Sequence, residues 1–337
     1  MRSSLDLRPF KTITVQPMSF SKTLVTAALC TFVGAVAAQS FPTKPITIVV
    51  PNPPGGVVDT SARLMADSLA KVLGQSVVVD NRGGASGNIA MGQVAKAPKD
   101  GYTLLASYSA YHVGNPAMFA KPGWEQKDLV PIALIAAATN VITTHPSIPA
   151  TNLKELIAYV QKNSGVVNFA SQGNGSLSHV GTVLLEQETS TKMTHVPYKG
   201  SGAAIADVVG GQVQLFMTTP PSVLGHIQTG KLRAYAVTSK TRHPMLPNVP
   251  TTTEAGLPGF ELEAWVGLFA PAGTPQAVAN QLTEAAKKAL DTPEAKARGA
   301  AQGIEVRFLG QEALAALVKR ETDYWTKVIK SRNITAD

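Results

Sequence analysis

Short apolar runs alternate with amphipathic stretches along the chain from residue 45 onward. The run Ile46–Val50 predicts a buried strand, and residues 59–73 repeat apolar side chains at the spacing of one helix face. Gly74 follows that helix, at the position where a left-handed glycine commonly ends one. The alternation continues to Thr238, and such repeated strand–helix units predict an α/β fold with parallel-type sheets flanked by helices.

The remaining elements follow from the same two periodicities. Strands are predicted over residues 77–79, 102–106, 166–170, 194–196, 213–217 and 232–238, and helices over residues 88–96, 153–163, 178–189, 203–209, 222–229, 275–290, 293–302 and 311–332. Two longer apolar runs, residues 129–143 and 260–270, are interpreted as strands that cross between two sheets. We therefore predict two domains, residues 39–140 plus 262–337 and residues 141–261, with a ligand cleft between them.

The N-terminus carries the pattern of an export signal. Lys22 precedes a short apolar stretch, and small residues occupy the −3 and −1 positions of a cleavage site after Ala38. Residues 1–38 are predicted to be a signal peptide, with Met18 as an alternative start, and the mature protein is expected in the periplasm. Cys30, the only cysteine, lies within this signal, so the mature chain is predicted to hold no disulfide and no cysteine-bound metal.

Composition and charge narrow the class of protein. The 337 residues include 44% hydrophobic and 15% charged residues, which is typical of a globular chain long enough for two domains. The formal net charge is +8, but the lysines and arginines are scattered and no aromatic residues interleave with them. Nucleic acid is therefore not an expected partner.

The motifs of common catalytic and cofactor sites are missing from the sequence. No two of the 6 histidines stand four residues apart, and neither a G-x-S-x-G nucleophile turn, a G-x-G-x-x-G loop nor a Walker lysine is present. No metal and no cofactor are predicted. Asp59 is the one carboxylate of the loops considered for acid–base chemistry, and it is equally well explained as an acid in the first turn of a helix.

Small-residue loops recur where a predicted strand leads into a helix. They span residues 54–60, 83–88, 107–111, 171–178 and 199–203. Each alone is explained by turn chemistry, but in parallel sheets all such loops lie at the carboxyl edge of the strands, where ligands bind. The loops bring hydroxyls, backbone N–H groups and few charges, and a helix N-terminus favours an anion. A polar cleft poor in acid–base residues indicates binding of a small anion rather than catalysis.

Several long motifs, taken in order, resemble one family. They are VVPNPPGGVVDTSAR, LGQSVVVDNRGGASGNIAMGQVAKAPKDGYTLL, NFASQGNGSLSHVGTVLLEQ, HVPYKGSGAAIADVVGGQVQLFM, GKLRAYAVTS and VPTTTEAGLPGFELEAWVGLFAPAGTP. The chain resembles the extracytoplasmic solute receptors of tripartite tricarboxylate transporters, the Bug or TctC-type periplasmic binding proteins. The resemblance covers nearly the whole of the mature chain.

The resemblance implies a type II-like periplasmic-binding-protein fold in which two α/β domains close on a ligand like a hinge, without catalysis. It also implies membrane transporter subunits as partners, a monomeric receptor, and a small carboxylate ligand such as a di- or tricarboxylate, an acidic amino acid or an aromatic acid. Carried onto this sequence, the implied ligand-binding residues are Pro54, Gly55, Gly56, Asp59, Ser107, Ser109, Tyr111, Ser171, Gly173, Asn174, Gly175, Ser176, His179, Tyr198, Lys199, Gly200, Thr219 and Trp265.

Asn52 departs from the family pattern, which usually has a bulky residue after the strand proline. This departure leaves the ligand size open. Two other functions remain alternatives: an exported enzyme that acts on a small organic acid, and a ligand-sensing partner of a membrane signalling protein. A nucleophile–base pair or a metal set in the cleft would distinguish the enzyme, and a different docking face would distinguish the sensor.

Overall fold

The computed structural model describes residues 41–331 and, outside that range, residues 12, 14, 334 and 335. The predicted signal peptide, with Cys30 and the expected cleavage near Ala38, lies outside the described residues except for Thr12 and Thr14. No helix in the described part of the chain is long and apolar enough to span a membrane.

Strands and helices alternate as the periodicity predicts. The strands are β1 Ile46–Val50, β2 Val77–Asn81, β3 Thr103–Tyr108, β4 Leu129–Thr139, β5 Val141–Thr144, β6 Asn168–Ser171, β7 Thr194–Pro197, β8 Leu215–Thr218, β9 Arg233–Val237, β10 Glu263–Pro271 and β11 Glu305–Leu309. The helices are α1 Val57–Leu73, α2 Asn88–Ala95, α3 Asn115–Met118, α4 Leu153–Lys162, α5 Leu177–Thr189, α6 Ser201–Val209, α7 Pro220–Gln228, α8 Gln276–Leu290, α9 Pro293–Ala301 and α10 Gln311–Ser331.

Helix α1 shows why these segments take their structure. Its buried face carries Ala62, Met65 and Leu69, each at most 1% exposed, and burial of a large apolar side chain contributes about 1.5–3 kcal/mol. Gly74 ends the helix with φ 65°, the left-handed conformation that the sequence predicts.

The strands form two sheets with helices packed on them. The first sheet has the order β11-β4-β10-β3-β1-β2, and the second has the order β7-β6-β8-β5-β9. The first sheet is parallel from β3 through β1 to β2, and the second is parallel from β7 through β6 to β8. The predicted α/β fold with two sheets and crossing strands is thereby confirmed.

Both sheets are mixed, whereas strand–helix alternation alone predicts parallel pairing throughout. β10 runs antiparallel to β3 and β4, and β5 runs antiparallel to β8 and β9. The reason lies in the crossings: β10 returns to the sheet that β4 leaves, so the two must run in opposite directions.

The two crossings are joined by hydrogen bonds. Only Asn140 separates β4 from β5, which lie in different sheets. The backbone N–H of Asn140 donates to Thr238 Oγ1 at 2.9 Å, and Thr238 Oγ1 donates to the carbonyl of Leu262 at 2.6 Å. All three residues are buried, so the outgoing and the returning chain are fixed to each other between the sheets.

Candidate functional site

A cavity of about 830 Å³ lies where parallel strands of the two sheets end. We call it the cleft; one side is formed by the segments after β1 and β2, and the other by the segments after β6 and β7. The lining residues are Pro51, Asn52, Pro53, Pro54, Asn81, Gly83, Gly84, Ala85, Ser86, Gly87, Tyr111, Phe119, Gln172, Gly173, Asn174, Pro197, Tyr198, Lys199 and Gly200. This is the edge at which an α/β fold binds its ligands.

The segment after β1 places Asn52 in the cleft lining. Asn52 is 8% exposed, and its Nδ2 donates to the hydroxyl of Tyr111 at 3.3 Å. Asn81 Nδ2 donates to the backbone carbonyl of Asn52 at 2.9 Å, which fixes the turn. Burial raises the pKa of Tyr111 to about 12, so the phenol keeps its proton at neutral pH.

The loop after β2 has an unusual backbone. All four residues 84–87 have positive φ, including Ala85 at 45° and Ser86 at 50°. Left-handed geometry at a residue other than glycine costs about 1–2 kcal/mol and persists only where the surroundings hold it. Here Asn115 holds it, because its Nδ2 donates to the carbonyl of Ser86 and to Asn88 Oδ1, both at 2.8 Å.

The cleft lining includes two glycines with unpaired backbone amides and one cationic side chain among the described residues. In the described chain, the N–H groups of Gly83 and Gly84 make no backbone hydrogen bond. Lys199 is the one charged side chain among the described lining residues. Free amides beside a lysine form the usual environment for a carboxylate.

The facing side is built on the segments after β6 and β7. Gln172 is buried, and its Nε2 donates to Ser201 Oγ at 2.9 Å and to Thr218 Oγ1 at 3.0 Å. The hydroxyl of Tyr198 donates to Asp207 at 2.7 Å. These bonds tie the segment to α6 and β8 and hold it in place beside the cleft.

The two sides of the cleft touch each other. Ser86 Oγ donates to the carbonyl of Asn174 at 2.6 Å. A Cβ added to Gly200 would lie 2.9 Å from Cγ of Pro53, a distance that leaves no room for a side chain. Close backbone approach therefore explains the glycine in the second segment.

The predicted site residues fall into two groups. Those that line the cleft are Pro54, Tyr111, Gly173, Asn174, Tyr198, Lys199 and Gly200. Those that do not are Gly55, Gly56, Asp59, Ser107, Ser109, Ser171, Gly175, Ser176, His179, Thr219 and Trp265.

The serine hydroxyls at the end of β3 do not line the cleft. Ser107 is fully buried and its Oγ lies 2.9 Å from His112 Nδ1. Ser109 Oγ accepts from the backbone N–H of Trp265 at 3.2 Å, and Trp265 is itself 1% exposed. Ser107 lies within β3 itself, and Ser109 directly precedes the π-helical turn Ala110–Gly114.

Asp59 stabilises the glycine turn. It accepts hydrogen bonds from the N–H of Gly55 at 3.0 Å, from Arg63 and from Asn81. Burial raises the pKa of Asp59, but the hydrogen bonds from Arg63, Gly55 and Asn81 outweigh it and hold that pKa below its usual value. Gly56 starts α1, and its added Cβ would lie 3.2 Å from Ser201 Oγ.

The remaining predicted hydroxyls also lie outside the cleft lining. Thr219 is the residue before α7, and its Oγ1 is buried with no partner in the described residues. Ser176 starts α5 and donates to the carbonyl of Gly173 at 2.7 Å. Ser171 Oγ lies 2.6 Å from Nε2 of His195.

Two histidines stack beneath the loop that precedes α5. The rings of His179 and His195 lie 4.0 Å apart with planes 7° apart. Gly175 N–H donates to His179 Nδ1 at 3.1 Å. Burial lowers the pKa of His179 to about 4, and burial together with the charge of His179 lowers the pKa of His195 to about 4. Both are neutral at pH 7.

Several lining residues were not among the predicted site residues. Ser86 belongs to a loop predicted to converge on the cleft, and Asn52 is the residue that departs from the family pattern after the strand proline. Asn81 and Gln172 lie within the motifs that resemble the family but were not among the predicted site residues, whereas Phe119 lies outside those motifs and only the packing of the chain places it there.

A second cavity of about 460 Å³ lies beside the crossing strands, lined by Thr139, Arg242, His243, Glu263 and Glu305 among others. It lies away from the carboxyl ends of the parallel strands and shares no residue with the cleft. In the described part of the chain, no three His, Cys, Asp or Glu side chains gather in a way that could hold a metal ion.

Comparison with known proteins identifies relatives along nearly the whole chain. Residues 61–334 match the family model described as tripartite tricarboxylate transporter family receptor, TctC. The structure of periplasmic binding protein BugD is 36% identical, with a TM-score of 0.83, over 88% of this chain and 99% of that one.

Two similar structures were solved with a ligand. R. palustris Rpa4515 with adipate is 34% identical, with a TM-score of 0.84, over 88% of this chain and 99% of that one. MatC from Rhodopseudomonas palustris with bound malate is 35% identical, with a TM-score of 0.80, over 86% of this chain and 100% of that one. Both of these ligands are small dicarboxylates.

Proposed function

Because this chain belongs to the TctC family, the receptors of tripartite tricarboxylate transporters, we propose that it captures a small carboxylate in the cleft and delivers it to a membrane transporter. The observation that carries the proposal is the combination of the Gly83 and Gly84 amides with Lys199 in one cavity of about 830 Å³. Adipate and malate, the ligands of two similar proteins, fit this chemistry.

Capture proceeds by closure of two domains about the crossing strands. We place the domains at residues 39–140 plus 262–337 and residues 141–261, so that Asn140 and Leu262 mark the two crossings. A ligand that contacts both sides of the cleft stabilises the closed arrangement by the difference in its contacts with the open and closed states. The bonds among Asn140, Thr238 and Leu262 keep the two crossings in register as they bend.

The receptor acts outside the cytoplasm. We propose that residues 1–38 direct export and are removed near Ala38, and that the mature protein is a monomeric periplasmic receptor. Its partners are then the membrane subunits of the transporter. The mature chain keeps no cysteine, so its folding after export requires no disulfide.

Binding without turnover is the proposed activity. The arrangement nearest to a catalytic pair is Ser171 with His195, at 2.6 Å. Ser171 is fully buried, its Oγ also bonds the carbonyl of Gly173, and neither residue lines the cleft. A hydroxyl in that position braces the loop and does not reach a ligand.

The test is a thermal-shift and calorimetric screen of the chain starting at Gln39 against adipate, malate, succinate, citrate, glutamate and benzoate. At least one acid should raise the melting temperature, bind with a stoichiometry of about one and be recovered unchanged. Conversion of a bound acid by pure protein would establish an enzyme instead. Failure of every carboxylate to bind would contradict the proposed ligand class.

A further inference from the structure

One polar atom in the cleft lining has no partner. Asn52 uses Nδ2 to donate to the hydroxyl of Tyr111 at 3.3 Å, while its Oδ1 is sealed from solvent and makes no hydrogen bond in the described chain. The other described residues with such an atom are Ser61, Asn115, Gln187, Thr219 and Ser222, and none of them lines the cleft. Among the described residues, Asn52 is therefore the one cleft-lining residue that has a buried side-chain atom without a hydrogen-bond partner.

A hydrogen-bond acceptor that is buried without a partner destabilises the conformation in which it is buried. Asn81 bonds the backbone carbonyl of Asn52, so this contact of the turn does not involve the Asn52 side chain. The two sides of the cleft already touch at Ser86 and Asn174 in this arrangement. A ligand group that forms a hydrogen bond with the Asn52 side chain would remove the free-energy cost of the unpaired oxygen. It would thereby favour the conformation in which the two sides of the cleft touch.

The chemistry of the Asn52 and Tyr111 side chains determines which ligand group they can bind. Asparagine turns easily about its terminal torsion, so it presents either its oxygen or its NH₂ group, and the tyrosine hydroxyl both donates and accepts. Neither side chain is charged at neutral pH, since burial raises the pKa of Tyr111. A hydroxyl also both donates and accepts, so it pairs with either face of the amide. A second carboxylate of the ligand can accept hydrogen bonds but cannot donate one, and neither Asn52 nor Tyr111 provides a positive charge.

We propose that Asn52 and Tyr111 form a specificity site that binds a hydroxyl group of the ligand, so that the receptor prefers hydroxycarboxylates to the matching unsubstituted acids. This inference rests on the proposed function and goes beyond it. The Gly83 and Gly84 amides with Lys199 bind the carboxylate, and the Asn52–Tyr111 pair binds the hydroxyl. Both contacts are required for the full affinity.

The experiment measures affinity by calorimetry for two pairs of acids that differ by one hydroxyl: succinate with each enantiomer of malate, and adipate with 3-hydroxyadipate. The native protein should bind the hydroxylated member of at least one pair about 10- to 100-fold more tightly, because the unsubstituted acid leaves buried polar groups unpaired. In Asn52→Leu, which keeps the number and branching of the side-chain heavy atoms, the preference should fall to about threefold or less. The loss should come from weaker binding of the hydroxylated acid.

Two further variants keep the result interpretable. Tyr111→Phe retains the ring packed edge-on against Tyr108, with centroids 5.1 Å apart, and should reduce the preference on its own. It also provides the test if Asn52→Leu does not fold. Asn280→Leu, at an exposed position of α8, makes the same substitution away from the cleft and should keep the native preference.

The outcomes separate this inference from the function on which it rests. Binding of the acids with no preference for a hydroxyl, or with a preference that survives both Asn52→Leu and Tyr111→Phe, would overturn the specificity site and leave the receptor function standing. Failure of all these acids and of the wider carboxylate panel to bind would overturn both.

Discussion

Ser86 donates a hydrogen bond from its Oγ to the backbone carbonyl of Asn174 at 2.6 Å, which joins the loop after β2 to the loop after β6. The bond connects segments that belong to different sheets. It is thus available only when the two sides of the cleft are together. Ser86 is held in its left-handed conformation by Asn115, so the donor is oriented before the sides meet.

Removal of this bond should weaken ligand binding more than folding. A neutral hydrogen bond contributes about 0.5–1.5 kcal/mol, so Ser86→Ala should lower the affinity for a bound carboxylate about 2- to 10-fold. The melting temperature of the ligand-free protein should change little. Calorimetry and thermal denaturation provide the two measurements, with Ser164→Ala at an exposed turn as the control. An unchanged affinity in Ser86→Ala would show that the bond does not stabilise the liganded state.

Lys199 should contribute to affinity through its charge. It is the one charged side chain among the described lining residues, and it is exposed, so salt screens its effect. We expect Lys199→Gln to weaken carboxylate binding about 3- to 10-fold at low ionic strength and by less at high salt. Lys154→Gln, at an exposed position of α4, should leave the affinity unchanged. A loss that is the same at all salt concentrations would point to packing rather than charge.

Periodicity could predict the fold because most elements bury one clear apolar face. Residues 46–50 and 59–73 are examples, and the two long apolar runs predicted the crossings. Strand β11 was not predicted because it is short, lies at the sheet edge and contains no buried residue, so it has no apolar run like those of the central strands. There Arg307 pairs with Glu263 and Glu305, an arrangement that depends on the return of a distant strand.

The cleft could be predicted only in part. The loops that converge on it were visible as small-residue turns, but the sequence does not show which way each hydroxyl points. Ser107 and Ser109 are both buried: Ser107 lies within β3, and Ser109 directly precedes the π-helical turn. The left-handed backbone at Ala85 and Ser86 carries no sequence signal, since neither residue is glycine. It depends on Asn115, 29 residues beyond Ser86 in the chain.

Gly200 provides a test of close approach at the cleft. Its φ is 104°, and an added Cβ would lie 2.9 Å from Cγ of Pro53 on the opposite side. Gly200→Ala should therefore reduce both stability, by about 1–3 kcal/mol for the backbone strain, and ligand affinity. Gly202→Ala is the matched control, because nothing lies within 4 Å of its added Cβ. Gly202 lies within α6, so alanine there should be neutral or stabilising. Equal effects of the two substitutions would contradict the steric explanation.

The stacked histidines should make stability depend on pH. The pKa of each ring is lowered to about 4, chiefly by burial, whereas an imidazole in the unfolded chain has a pKa of about 6.5. Between these values the unfolded chain binds protons that the folded chain does not. The free energy of unfolding should therefore fall as the pH is lowered from about 6.5 to about 4, and the contribution of these rings should be complete below that range.

We expect the melting temperature of the ligand-free protein to be lower at pH 4.5 than at pH 7, and His195→Gln to reduce the difference. One pKa unit corresponds to about 1.4 kcal/mol, and partial solvent access to His195 diminishes its share. Protonation of His179 in the folded protein removes the acceptor of the Gly175 N–H, so ligand affinity should fall only as the pH approaches about 4. His226→Gln on α7 is the control and should retain the native pH dependence. Identical pH profiles for the native protein and His195→Gln would show that other groups govern the acid sensitivity.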